Sequence, residues 1–340
     1  MPPATLPRTE VHPVTTSDGT EIRLTRYPGT KGPVVLAPGY GNAARAFTVD
    51  TVDRNFVQFL GENGYDVWLL DYRASPELPA SRTQFTVDDI ATRDWPAAIG
   101  AVRKESGADS VQVLAHCVGG LSLFMAIGAG LEGVRSGVFS ALAGHPVATP
   151  NNRLRSHARL ATAFKAAGIT ALNTDYHEDS AIDRAVDMAM RVLPFKHVCD
   201  SPVCRRICFV YGDVFDHAHL NDATHDEIAG IFGITNMRFF EHISRMIRAS
   251  RAVDARGRDA YLSDLDRYKL PLAFMTGEHN RMFLPSGLRR THEMLTAANG
   301  PDLYRHHVIE GYAHLDCWLG EHSDRDVFPI ALAELEKYPA

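Results

Sequence analysis

Residues 111–129 read Val-Gln-Val-Leu-Ala-His-Cys-Val-Gly-Gly-Leu-Ser-Leu-Phe-Met-Ala-Ile-Gly-Ala. Val111 to Ala115 is a short apolar run of the kind a buried strand needs, and Leu121 to Ala129 is an apolar helix. Between them stand only His116-Cys117-Val118-Gly119-Gly120. A strand that turns this sharply into a helix is a nucleophile elbow, whose usual form is G-x-S-x-G. Small residues are needed two before and two after the central one, because the backbone folds back closely there. Ala115 and Gly119 meet that need, Ala115 less permissively than glycine. The side chain displayed at the turn is then the thiol of Cys117. It stands at a helix N-terminus, whose dipole favours the thiolate. A free cysteine elsewhere reads as a small buried core residue. The strand before Cys117 and the paired glycines after it reverse that reading.

Outward from the elbow, strand-like and helix-like segments alternate, the pattern of a mostly parallel sheet covered by helices. Val11 to Thr16 and Glu21 to Arg26 read as strands joined by a Ser-Asp-Gly turn, and Val34 to Ala37 as a buried strand ending in Pro38-Gly39. Helices are expected over Val49 to Asn63 and Val87 to Arg103, with strands at Tyr65 to Asp71 and Val134 to Leu142. Residues 147–268 read as helical, His-rich and polar, without strand order. Alternation resumes with a strand at Leu270 to Thr276, a helix around Gly287 to Ala297, a strand at Leu303 to Ile309 and a helix from Asp324 to Tyr338. The organisation expected is an α/β core, 1–146 and 269–340, with a helical cap, 147–268, inserted late in the sheet. Such a cap sits over the carboxyl ends of the strands, where open α/β sheets bind ligands.

The elbow needs partners. One oxyanion-hole donor is the N–H of the residue after the nucleophile, Val118; the other comes from the loop after the third strand, Pro38-Gly39-Tyr40-Gly41, where Tyr40 N–H is the choice. Gly39 and His116 are placed beside the substrate. There are 16 histidines. In folds built on such an elbow the base follows the last strand, and Gly311-Tyr312-Ala313-His314 lies there, so His314 is the expected general base. The residue that orients it belongs to the loop after the Leu270 strand, which reads Gly277-Glu278-His279-Asn280 where G-x-x-D is usual. Position for position the orienter is Asn280, an amide, with Glu278 the alternative and Asp316 more remote. An amide is tolerable beside sulfur, since Cys-His-Asn triads occur on another fold.

The rest of the chain narrows the class. A net charge of −6 argues against nucleic acid, which asks for clustered positive charge. No apolar run reaches the length of a membrane span, and the N-terminus lacks a secretory pattern. Five cysteines at irregular spacing suit a reducing cytoplasm. Asp213, Asp216, His217, His219, Asp222 and His225 look superficially like metal ligands, but no second half with matched spacing follows, and Cys199, Cys204 and Cys208 lack Cys-x-x-Cys pairing. A polar cap helix is the reading preferred, with no metal and no cofactor expected. The chain has no glycine-rich phosphate loop in context.

Three stretches carry a family resemblance: LAHCVGGLSLFMA (114–126), CRRICFVYG with HLNDATHDEIAGIFG (204–212 and 219–233), and FMTGEHNRMFLPSG with HVIEGYAHLDCWLG (274–287 and 307–320). They resemble α/β hydrolases related to the hydrolase-like portion joined to cholesterol-oxidase-like flavin oxidoreductases. In that group cysteine at the nucleophile and asparagine in the late loop belong to the pattern; the flavin portion is absent here. VDRNFVQFLGENGYDVWLLDYR (52–73) is similar to polyhydroxyalkanoate synthases, cysteine acyltransferases with a helical cap, and the early half resembles acid-lipase-type hydrolases. The resemblance implies an α/β-hydrolase fold and acyl transfer through an acyl-cysteine. Hydrolysis of an ester or thioester is the first expectation, with transfer to an alcohol, amine or carbon acceptor as the alternative. A silent scaffold that only binds a ligand is a second alternative. The cap residues Phe195, Phe209, Phe215, Phe232, Phe239 and Phe240 suggest a hydrophobic small molecule. Oligomeric state is not legible.

Overall fold

The computed structural model describes residues 9–191 and 199–339. Its ten strands are β1 Glu10–Thr15, β2 Glu21–Tyr27, β3 Pro33–Ala37, β4 Asp66–Asp71, β5 Val111–His116, β6 Val134–Ser140, β7 Ala171–Leu172, β8 Thr235–Asn236, β9 Leu272–Gly277 and β10 Tyr304–Ile309. Eight form one sheet in the order β1-β2-β4-β3-β5-β6-β9-β10. The β1–β2 and β2–β4 pairs are antiparallel, and every later pairing in the sheet is parallel. β3, β4 and β5 are buried along their whole length, as strands covered on both faces must be. Alternate side chains divide the core. Val35, Trp68, Val113 and Phe274 pack with Trp95, Phe124 and Leu295 on one face. Val34, Val67, Leu114 and Ala273 pack with Phe56, Leu60 and Phe328 on the other.

Between β6 and β9 the chain leaves the sheet for a mostly helical stretch. Here the sequence reading missed one element: β7 and β8 pair antiparallel as a two-residue ladder, too short to show a period of two. One helix is also shorter than expected, and another is irregular. Val49 to Asn55 does not join the helix Phe56–Glu62, because Asn55 caps it with a capping box closed by Gln58. The expected helix from Val87 carries a π turn over Ile90–Asp94 before Trp95–Ser106. Among the described residues no helix is long and apolar enough to cross a membrane.

Candidate active site

The elbow is built as its sequence requires. Cys117 has φ 52 and ψ −120, a backbone state that a residue with a side chain enters only under strain, and it caps the helix Val118–Gly128. Its own N–H is tied to the Ser140 carbonyl at 2.8 Å. A Cβ on Gly119 would stand 2.5 Å from the Pro38 carbonyl oxygen, and one on Gly120 2.6 Å from that of Leu142. Only glycine lets the helix start so close to the ends of β3 and β6.

The loop after β3 closes over the sulfur. A Cβ on Gly39 would meet Cys117 Cβ at 3.3 Å, so this backbone runs directly against the Cys117 side chain. The amide N–H groups of Tyr40 and Val118 both donate toward Cys117 Sγ. Two backbone donors, one from the loop after β3 and one from the helix start, thus converge on the sulfur. Tyr72, which sequence reasoning did not single out, donates its hydroxyl to the Pro38 carbonyl at 3.1 Å and steadies this loop. The Tyr40 ring stacks on Phe239, with centroids 3.4 Å apart, and its hydroxyl accepts from the Asn236 N–H at 2.9 Å.

His314 reaches the same cavity from the loop after β10. The Leu315 N–H donates to the Val214 carbonyl at 2.8 Å, and the Ala313 N–H to an Asp316 carboxylate oxygen at 2.8 Å, fixing the loop on either side of the imidazole. Gly277, whose Cβ would fall 2.1 Å from the Ala313 carbonyl oxygen, lets the β9 loop lie flush against it.

The expected orienters do not engage His314. The Asn280 side-chain oxygen accepts from the Met282 and Phe283 amides at 3.1 and 3.2 Å, and its nitrogen bonds Thr276. That local turn consumes the amide, in the way short polar side chains commonly bond their own backbone. Glu278 is half-exposed and accepts from the Gly311 N–H at 3.2 Å. His314 Nδ1 has no hydrogen-bond partner among the described residues. Its ring neighbour is His116, with centroids 4.6 Å apart. His116 Nδ1 lies 3.0 Å from Ser140 Oγ and 3.1 Å from Trp318 Nε1, while its Nε2 is buried with no partner among the described residues.

Burial sets the charge states. It pushes the Cys117 thiol up to about 12, with the two amides pulling weakly the other way. It holds His314 down at about 3. The thiolate expected from the helix dipole is therefore overruled by desolvation, and the resting pair is neutral thiol and neutral imidazole.

Both residues border a cavity of about 120 Å³. Much of its wall comes from the inserted stretch. Phe239, Ile243 and Ile247 recur every four residues on the helix Met237–Ala249 and face it, joined by Phe232 and Phe240. That periodicity was present in the sequence and would have named the two isoleucines. A second apolar cavity of about 140 Å³ shares Val210, Phe240 and Ser244 with the first and reaches Phe209. Phe215 instead packs edge-on against His217, and Phe195 lies outside the described residues.

No family model matches the chain. Among solved structures, DcsB in complex with its substrate analogue superposes with a TM-score of 0.64 at 13% identity, covering 97% of this chain and all of that one (100%). A monoacylglycerol lipase from Paleococcus ferrophilus gives 0.57 at 15% identity over 92% and 99% of the two chains. The chain has the α/β-hydrolase fold. Among curated proteins, 104 residues are 35% identical to the poly(3-hydroxyalkanoate) polymerase subunit PhaC of Haloferax mediterranei, over 29% of this chain and 20% of that subunit. Human lipase member K is 22% identical over 97% of this chain and 88% of its own length. The chain thus spans a fifth of the polymerase subunit it matches and most of the lipase.

Proposed function

We propose that this hydrolase fold catalyses acyl transfer through an acyl-cysteine on Cys117, releasing the acyl group of a hydrophobic ester or thioester to water. The observation that carries this reading is the convergence of the Tyr40 and Val118 amides on Cys117 Sγ in a cavity that also holds His314. Two lipases and a poly(3-hydroxyalkanoate) polymerase subunit among the similar proteins support ester chemistry in general.

As the sulfur attacks the carbonyl carbon, its proton passes to the neutral His314. The carbonyl oxygen takes the negative charge between the two amides, where each donor is worth roughly 10²–10³ in rate. Collapse breaks the bond to the leaving alkoxide or thiolate, which takes the proton from the imidazolium. Water then attacks the acyl-cysteine with the same histidine as base. The two neighbouring, mostly apolar cavities, which share Val210 and Phe240 in their walls, suit a hydrophobic acyl chain. A reducing, cytoplasmic setting goes with this reading, and all five cysteines are free.

One observation favours a second reading, transfer to an alcohol, amine or carbon acceptor. Cys117 is 5% exposed and walled by aromatic rings, so water competes poorly for the acyl group. The test is intact-protein mass spectrometry after brief exposure to activated acyl esters and thioesters, comparing the wild type with Cys117→Ala. An adduct on Cys117 that decays in water supports hydrolysis. Decay only on adding an acceptor moves the assignment to acyltransferase. An adduct that persists in Cys117→Ala, or none with any donor although Cys117 alkylates, overturns the reading.

A further inference from the structure

Away from the active site, Cys199, Cys204, His217 and His225 each bring one ligand atom to a common point, and no pair of these atoms is farther apart than 4.8 Å. Cys199 Sγ lies 3.6 Å from His225 Nε2, and Cys204 Sγ 3.5 Å from His217 Nε2. We infer that these four residues form a structural zinc site that staples the inserted helices together.

The geometry carries the inference. Zinc bonds of about 2.3 Å to thiolate and about 2.0–2.1 Å to imidazole, at tetrahedral angles, separate a sulfur from a nitrogen by about 3.6 Å. Both sulfur–nitrogen pairs already stand at that distance. Two zinc-bound sulfurs are about 3.8 Å apart and two zinc-bound nitrogens about 3.3 Å, so a shift of about 1–1.5 Å closes even the widest separation allowed here. Two soft thiolates and two imidazoles in a tetrahedron select zinc over magnesium or calcium, which prefer oxygen. Four protein ligands leave no open position, which marks a structural site rather than a catalytic one.

Sequence spacing concealed the set. Cys199 and Cys204 are separated by four residues, within the range zinc sites use, but His217 and His225 are separated by seven, wider than the usual histidine pair. The fold makes up the difference. Cys204 lies in the first turn of the helix Pro202–Val210, His217 on the short turn His217–His219, and His225 one turn into the helix Asp222–Ile231. A crevice bordered by Ser201, Pro202, His225 and Asp226 gives the ion a way in. Binding releases one proton from each thiol to solvent and leaves a neutral centre. The staple would hold the segment that meets the catalytic loop: Val214 accepts from the Leu315 N–H, and His219 bonds the Gly311 carbonyl at 3.1 Å.

The untagged chain, purified with reductant and without chelator, is assayed for metal by elemental mass spectrometry. Near-stoichiometric zinc is expected, retained in Cys117→Ala and in Cys208→Ser, and lost in Cys204→Ser and His225→Ala. Stripping the wild type should lower its melting temperature. Titrating it with cobalt should then give intense visible ligand-field bands with near-ultraviolet thiolate charge transfer, a readout that needs no variant to fold. A wild type that holds no zinc and gives no such cobalt spectrum overturns the site. So does zinc that survives in His225→Ala, or a Cys199–Cys204 disulfide in the reduced preparation.

Discussion

At Cys117 two effects compete, and their magnitudes decide. A helix N-terminus favours a thiolate by roughly 0.3–1 kcal/mol at exposed positions, whereas complete burial moves ionisable groups by several pH units. The thiol is accordingly pushed up to about 12, and His314, buried and with no partner for its Nδ1 among the described residues, is held at about 3. Two pH profiles should follow. Alkylation of Cys117 by iodoacetamide should rise about tenfold per pH unit through pH 7–10, without levelling near the ordinary cysteine value of about 8.5. Because a lowered histidine pKa keeps the imidazole in its basic form above about pH 3, kcat/KM should stay flat between pH 5 and 7. An acid limb centred near pH 6.5, or an alkylation plateau below pH 9, would mean that solvent reaches the pair during turnover.

At the scale of elements, the junction of β3, β5 and the helix Val118–Gly128 is set by contact distance. A Cβ at Gly119 would press on two backbone oxygens, Pro38 at 2.5 Å and Ala37 at 3.0 Å, neither able to rotate aside. Gly119→Ala should therefore separate the Tyr40 amide from the sulfur, destabilise the chain by about 1–3 kcal/mol and abolish acyl-enzyme formation. Ala115→Gly restores the usual elbow form at a cost of only about 0.5–1 kcal/mol, and acylation should survive. Denaturant melts with the mass-spectrometric acylation assay read both; equal behaviour of the two variants would show that the contact does not set the site. The same junction explains what was legible in the sequence. Val111 to Ala115, the paired glycines and the Ala313-His314 loop announce themselves because steric demand and strand alternation are local properties of the chain. The unpaired Nδ1 of His314 was not legible, since Asn280 holds the expected place but spends its oxygen on the Met282 and Phe283 amides. Nor was the convergence of Cys199 and Cys204 on His217 and His225, which depends on how three short elements pack rather than on spacing.

Across the whole molecule, the chain leaves the sheet beside His145, where three distant segments meet. The Ala252 N–H donates to the Gly144 carbonyl at 2.7 Å, the Leu284 N–H to that of Val147 at 2.7 Å, and a Cβ on Gly287 would fall 2.3 Å from the His145 carbonyl oxygen. His145 is buried here with Nδ1 3.0 Å from Thr291 Oγ1. Thr291 gives its own proton to the Gly287 carbonyl, so the hydroxyl oxygen is the acceptor and the imidazole the donor. Burial, aided by Arg290 and Arg251, lowers this histidine to about 4. Its folded value is below the ordinary value of about 6.5, so the unfolded chain binds the extra proton as pH falls. The penalty is absent above pH 6.5 and grows by up to about 1.4 kcal/mol per pH unit down to pH 4. His145→Gln keeps a donor for Thr291 and cannot titrate. It should lose stability at pH 7.5, where only packing changes, then gain on the wild type by roughly 3 kcal/mol by pH 4. Urea unfolding of both proteins at the two pH values measures the difference directly. Parallel pH dependence would mean that solvent reaches His145 and leaves its pKa at the ordinary value, and that the junction of sheet and insert is open.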